Sequence, residues 1–502
     1  MLAEAEAEAE SEAHLQLVLI PWPVMGHVQI VEFAKLIITR QYLLLPGKTL
    51  SITVLLMKLP DYIDTVSSSF ADLLSTGPAT CRLNFFHLPP TNPAPEWSSR
   101  TRGYFIHNLV LSQKLNVANF LQSRKAAVAG LVVDMLCTTM IDVAEELGVP
   151  SYVFFTSPAS FLGAMLHCQT LHDEINQDVA ELRNAESEVL VPSFAKPVPP
   201  EVLSLVLVDK HLWLDRFLHY ARDYRKAKGI IINTFIELEP HALNSFSVLD
   251  SAYGSKQVPP IYPVGPILNQ GPSLNSHEGA SGILKWLDDQ PSCSVVLVCF
   301  GSQGSLNEDQ VRELATGLEK SGSRFLWSLR RQSPKDKGAS FPSEYTRYED
   351  VLPEGFLERT AKTGKVVGWV PQLDVLSHPA VGGFVSHCGW NSVLESLWCG
   401  VPIATWPLHA EQQMNAFQLV RELGLAVEIT LSYHERSENG TVVAAGEIER
   451  GIREVMEGGS EVRKRVKEMK EKSRMSVVEG GSSYLSFKKL IDHMMTNISS
   501  NN

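Results

Sequence analysis

Short apolar runs alternate with amphipathic stretches along most of the chain, and the alternation occurs twice. In the first half HLQLVLIPW reads as a strand, followed by a turn and the helix VQIVEFAKLIITR. TLSITVLLM, RLNFFHLPP, AGLVVDML and PSYVFFTS continue the series. In the second half CSVVLVCFGS opens, the helix NEDQVRELATGLEKSG and the strand RFLWSLR follow, and KVVGWV, GGFVSH and VPIATWP complete it. Strands interleaved with helical stretches predict parallel sheets wrapped by helices, an α/β fold. Two facing doubly wound domains would leave a cleft at the C-terminal ends of both sheets, where ligands bind.

Between the halves lies IYPVGPILNQGPSLNSHEGASG, rich in Pro, Gly, Ser and Asn, the composition of an interdomain linker. The reading places one domain over residues 15–262, a linker over 263–280 and a second domain over 281–483. A closing helix covers 484–502, centred on YLSFKKLIDHMM. QSPKDKGASFPSEYTRYED and YHERSENGTVVAA are expected to be surface loops. Residues 1–14 alternate Ala and Glu with nothing to bury, so they are expected to be a disordered acidic tail.

Composition narrows the class. A net charge of −12 argues against a nucleic-acid partner, which would require a basic face. No stretch reaches the ~18 apolar residues of a membrane span, and no basic-then-apolar leader opens the chain. The seven cysteines are scattered without CxxC spacing, as reduced thiols of a cytoplasmic protein would be. A monomer with no membrane or nucleic-acid partner is expected.

The chemistry concentrates between Trp369 and Gln412. VGGFVSHCGWNSVLESLWCGVPIATWP reads as a strand (381–387), a Gly-containing turn (388–391), a short helix (392–399) stopped by Gly400, and another strand (401–406). Such a strand–turn–helix aims free amides and a partial positive charge at one point, which suits a phosphate. A histidine, small polar side chains, Glu395 and the Glu411-Gln412 pair stand around that point, so a nucleotide-sugar site is indicated. Glu395 also fits a purely structural use: Ser392-x-x-Glu395 is a capping box. In the other half His27 lies in the first strand-to-helix turn, placed as a general base at neutral pH should be. Asp134 ends an apolar strand at the same cleft. A surface or capping histidine and a helix-capping aspartate are the plain alternatives. Asp142, by contrast, should be a solvated helix residue.

Along its whole length, the run from Trp369 to Gln412 resembles the donor-binding box of the plant family 1 UDP-dependent glycosyltransferases. The match to HCGWNS, ES, GVP and the final EQ is nearly complete. Nearly all of the chain after residue 14 shares the resemblance; IYPVGPILN, LKWLDDQPSCSVVLVCFGSQGS and EDVLPEGFLERT resemble the branch that glucosylates phenolics and terpenoids. The resemblance implies the GT-B arrangement of two Rossmann-like domains. The first would bind the acceptor, the second the UDP-sugar, and the closing helix would pack back on the first.

It further implies that His27, in PxPxxGH, is the catalytic base and Asp134 its partner, with Val24 where glycine is common. Trp369 and the Val370 backbone would take uracil, Gln372 and Glu395 the ribose. His387, Asn391, Ser392 and Ser302 would take the diphosphate. Trp390, Glu411, Gln412 and Thr156 would contact the sugar, and Gln412 goes with glucose. Met135, Leu136 and Val24 would line the acceptor pocket. No DxD motif is present, so no metal and no cofactor beyond the co-substrate UDP-glucose is expected. Another UDP-sugar donor, or a nucleotide-sugar-binding protein without turnover, are the alternatives.

Overall fold

A computed structural model describes residues 13–499 apart from 41–47, 59–81, 92–93, 95–101, 126, 212, 254–257, 269–277, 333–341 and 435–441. Strands β1 (Ala13–Ile20), β2 (Lys48–Leu56), β3 (Leu83–His87), β4 (Val128–Asp134), β5 (Ser151–Phe155), β6 (Gly229–Ile232) and β7 (Ile261–Pro263) make one seven-stranded sheet. Its order is β3-β2-β1-β4-β5-β6-β7, and every neighbouring pair is parallel. β8 (Val295–Cys299) and β9 (Arg324–Ser328) begin the second half, and β10 (Arg330–Arg331) pairs with β11 (Ser343–Glu344) as a small antiparallel hairpin. β12 (Gly364–Val367), β13 (Val381–Ser386), β14 (Ile403–Thr405) and β15 (Ala426–Glu428) complete a six-stranded parallel sheet ordered β12-β9-β8-β13-β14-β15.

Because helices cover both faces of each sheet, successive residues of one strand enter opposite cores. In β1, Val18 and Ile20 pack in one apolar cluster while Leu17 and Leu19 pack in another. β8 divides the same way, with Leu297 in one cluster and Val296 and Val298 in a second. This is why these strands read as unbroken apolar runs.

Strand order reverses between β1 and β4 in the first sheet and between β8 and β13 in the second. At such switch points neighbouring crossovers leave in opposite directions and open a crevice beyond the strand ends. The turns after β1 and β13 meet across that crevice.

The last helix, Ser482–Ser499, covers the first sheet rather than the second. Phe487, Leu490, Ile491 and Met494 are buried there with Phe33, Val54 and Phe154. Polar contacts reinforce the packing: Asn497 Nδ2 donates to Tyr152 Oη at 2.8 Å, and Tyr262 Oη lies 2.6 Å from His493 Nδ1.

Several boundaries differ from the sequence reading. The first strand begins at Ala13, within the last two residues of the supposed tail, and residues 1–12 lie outside the described residues. The Pro/Gly-rich stretch assigned to the linker begins as core. Ile261–Pro263 pairs with β6, and Val264, Ile267 and Leu268 are buried. Apolar residues between the prolines pack although the composition reads as linker. The helix Glu278–Asp288 starts before the expected boundary at 281, and its Asp288 meets His378 of the second half at 3.1 Å. The closing helix begins at Ser482, two residues before the expected start. The loop QSPKDKGASFPSEYTRYED contains β11, and 333–341 within it are outside the described residues.

Candidate active site at the facing switch points

After β1 the chain makes a single 3-10 turn, Met25–His27, before the helix Gln29–Thr39. The turn closes through His27 N–H to the Val24 carbonyl at 3.0 Å. It brings His27 Nδ1 to 2.8 Å from Asp134 Oδ2 at the end of β4, with the carboxylate wholly buried and the imidazole 16% exposed. Asp134 Oδ1 accepts the Leu136 N–H at 3.0 Å, which fixes the carboxylate plane. A carboxylate oxygen accepts, so Nδ1 carries a proton, and in the neutral tautomer this selects Nε2 keeps its lone pair. Thr156 Oγ1 stands 3.4 Å from the same Nδ1 and donates to Met135 Sδ at 3.3 Å. Val24 and Met135 are buried beside the turn, and Leu136 is half-buried against the core. Asp142 is elsewhere, in the helix Thr139–Glu146, paired with Lys114 and Lys226.

Across the cleft, β13 ends at Ser386 and the chain turns through His387, Cys388 and Gly389 into the helix Trp390–Cys399. Cys388 takes a left-handed conformation, φ 59°, held by its N–H to Ser386 Oγ and by Asn415 Nδ2 to its carbonyl. Gly389 is the N-cap and offers no side-chain acceptor, so the first-turn amides are open to a ligand. The His387 ring fits between two glycines. A Cβ on Gly389 would come within 2.4 Å of its Nε2, and one on Gly301, at the end of β8, within 2.7 Å. Burial, with a smaller contribution from His409, pushes the imidazole down to about 3, so it is neutral. Its Nδ1 is sealed from solvent without a partner, as is Asn391 Oδ1.

The capping-box reading of Ser392 and Glu395 does not hold. The helix starts at Trp390, so Ser392 lies inside its first turn rather than at the cap. Both side chains instead meet Gln372, whose Nε2 donates to Ser392 Oγ at 2.9 Å and to Glu395 Oε2 at 2.7 Å. Glu395 is 8% exposed. Burial raises its carboxyl to about 7, with the Gln372 hydrogen bond pulling the other way.

The remaining predicted residues sit around this point. Trp369, after β12, is 41% exposed, while Val370 beside it is buried. Ser302 is exposed beyond β8, its carbonyl accepting from Arg330 Nη1 at 3.0 Å. Trp390 Nε1 donates across the cleft to the Asn233 carbonyl at 2.7 Å. Glu411 Oε1 accepts from Ser157 Oγ at 3.2 Å, also across the cleft. Gln412 Oε1 gathers the N–H groups of Leu408 and His409 at 2.9 and 3.1 Å.

The structure thus adds Arg330, Asn233 and Ser157, which sequence reasoning missed. Arg330 had a signal, the first of two cations at the end of the strand RFLWSLR; Asn233 and Ser157 had none, since each acts through a partner distant in sequence. An open groove of about 610 Å³ between the domains, lined by Arg183, Glu188, Leu203 and His434, contains none of the predicted residues. Among the described residues no group of three or more His, Cys, Asp or Glu side chains is gathered that could hold a metal ion.

Comparison with known proteins agrees with this geometry. Residues 285–448 match the family described as UDP-glucoronosyl and UDP-glucosyl transferase. The UDP-glucose flavonoid 3-O-glucosyltransferase 6 of Fragaria ananassa is 48% identical over 495 residues, spanning 96% of this chain and 98% of that protein. A UGT transferase from Siraitia grosvenorii, solved with UDP, superposes with a TM-score of 0.82 at 46% identity, covering 96% of this chain and 100% of that one. Medicago truncatula UGT71G1, complexed with UDP-glucose, gives 0.82 at 38% identity, covering 96% and 99%.

Proposed function

The chain belongs to the plant family 1 UDP-dependent glycosyltransferases, and on that premise we propose that it is an inverting glucosyltransferase. It moves glucose from UDP-glucose to a hydroxyl of a small apolar plant metabolite, flavonoids and other phenolics first and terpenoids second. The observation that carries this reading is the 2.8 Å contact between His27 and Asp134, opposite the open amides of the Trp390–Cys399 helix. A tautomerically fixed imidazole on one wall and an anion-binding turn on the other are what direct displacement at an anomeric carbon requires. The names of the relatives, one a flavonoid 3-O-glucosyltransferase and one bound to UDP-glucose, support the donor and acceptor classes.

In the proposed reaction His27 Nε2 takes the proton of the acceptor hydroxyl while Nδ1–H remains on Asp134, which stabilises the imidazolium that forms. The acceptor oxygen bonds to the anomeric carbon from the face opposite UDP. The bond from that carbon to the β-phosphate oxygen breaks, UDP departs with the electron pair, and a β-glucoside results. The proton on His27 then passes to solvent. Helix amides, neutral His387, Asn391, Ser392 and Ser302 hold the diphosphate, so its developing charge meets preorganised dipoles rather than a metal. Gln372 and Glu395 hold the ribose, Trp369 and Val370 the uracil. Trp390, Glu411, Gln412 and Thr156 surround the sugar. The acceptor lies toward Val24, Met135 and Leu136, in the first domain. The six cysteines among the described residues are unpaired thiols, which supports a cytoplasmic setting; we read the enzyme as a monomer without membrane or nucleic-acid partners.

Incubation with UDP-glucose and a panel of phenolics, following UDP release and the anomeric configuration of the product by NMR, tests the reading. β-Glucosides are expected, and an α product would overturn inversion. His27→Ala should lose roughly 10²–10⁴-fold in turnover with UDP affinity nearly unchanged. Asp134→Ala should fall in the same direction and the double variant little further, because the two act as one unit.

A further inference from the structure

One hydrogen bond joins the diphosphate turn directly to the base turn. Asn391 Nδ2 donates to the Gly26 carbonyl at 2.8 Å, and Gly26 is the residue before His27. We propose that Asn391 is a positioning residue for the base: from the second domain it holds the Met25–His27 turn, so that His27 is correctly set only when the donor turn is docked on the first domain.

Two further observations support this role. The turn is poorly supported at that peptide: a Cβ added to Gly26 would meet nothing within 4 Å, although Val24 and Val28 on either side are buried. Within the first domain the ring is held at Nδ1 by Asp134 with Thr156 beside it, and the turn backbone closes through His27 N–H to Val24 and Val24 N–H to Trp22. Asn391 supplies the tie from the far side. The orientation of its amide points the same way. A carbonyl only accepts, so the NH₂ group must face Gly26, and Oδ1 is left buried with no partner. The side chain is therefore turned to serve the opposite domain rather than its own surroundings.

The inference rests on His27 being the base, and the test separates the two ideas. A residue acting only on the leaving diphosphate slows all acceptors alike. A residue acting through the base slows acceptors in proportion to their need for one. Asn391→Ala and Asn391→Asp, the latter presenting a carboxylate to the Gly26 carbonyl, would be assayed at saturating UDP-glucose on two acceptors of one scaffold. One carries a nitrophenol ionised at the assay pH, the other an aliphatic alcohol.

Displacement of the base by about 1 Å can lower turnover on the order of 10²-fold. Beyond the equal loss that its diphosphate contact costs on both acceptors, that further loss is expected on the alcohol alone, and His27→Ala combined with Asn391→Ala should be slower on the alcohol than His27→Ala only by the loss that Asn391→Ala shows on the ionised phenol. Equal losses on both acceptors would overturn the proposal and leave Asn391 a donor contact only. If His27→Ala itself shows no dependence on acceptor acidity, the base assignment fails and this inference fails with it. Calorimetric UDP binding and melting temperature report whether each variant is folded; should Asn391→Asp not fold, Asn391→Leu, which carries no donor, reads the same comparison.

Discussion

At the scale of single residues, Glu395 shows how one environment can set both stability and ligand recognition. Its carboxyl is raised from 4.5 to about 7 because it is buried, Gln372 opposing that shift only in part. In the unfolded chain the group loses its proton near its ordinary value; in the folded, nucleotide-free protein it keeps it to about 7. The stability it contributes is thus full below pH 4.5, is lost as pH rises toward 7, and stays lost above. Glu395→Gln cannot ionise, so it should gain on the wild type between pH 5 and pH 8, on the order of 1–3 kcal/mol. A ribose diol donates to the ionised form through charge-assisted hydrogen bonds. Wild-type UDP affinity should therefore strengthen relative to the variant as pH rises through 7. The titration of the nucleotide's own phosphate cancels in that ratio. The variant should lose about 1.5–3 kcal/mol of binding at pH 8, together with its discrimination against 2′-deoxy-UDP. Calorimetry with both nucleotides at three pH values measures all of this, and an unchanged affinity ratio would return Glu395 to a structural role. The sequence motif alone left that choice open; the Gln372 contact, from an element 20 residues away, decides against the cap.

At the scale of elements, most strands were legible, the three-residue β14 included, but β6, β7 and β15 were not. β1, β4, β5, β8 and β13 announce themselves because both faces are buried, so most positions are apolar. β7 and β15 have three residues each, and β7 lies within a proline-rich stretch, where composition outweighs pattern. The start of the Trp390–Cys399 helix was placed late for a related reason. Its N-cap is Gly389, which carries no side chain, so capping rules select Ser392 instead. That uncapped turn is also what leaves its amides open to an anion. Because helix amides and a neutral histidine can stabilise a departing diphosphate without a cation, turnover should persist in excess EDTA. Loss of activity on chelation, with recovery on adding Mg²⁺ or Mn²⁺, would show that the leaving group depends on a metal instead.

At the scale of the whole molecule, the cleft is defined by contacts that no single segment encodes. Trp390 to Asn233, Asn391 to Gly26, Glu411 to Ser157 and Gln418 to Ser160 all cross it, pairing residues more than 150 positions apart. Sequence reasoning located one partner of most of these pairs and could not see the other. The closing helix adds a further long-range contact, on the face of the first sheet. Phe487 is fully buried, its ring 6.2 Å from that of Phe33 and edge-on to it, and Phe33 in turn packs on Phe154 of β5. The core of the first sheet is thus completed by the last element of the chain. Phe487→Ala would leave a cavity among side chains fixed by β1, β2 and β5, at a cost of about 3–5 kcal/mol. The loss should appear as a lower melting temperature and as faster amide exchange in β1, β2 and β5. The donor turn lies on the other sheet, so the folded variant should bind UDP nearly as the wild type does. A cost below about 1 kcal/mol, with exchange in the first sheet unchanged, would mean that the helix rests on a domain that is already complete without it.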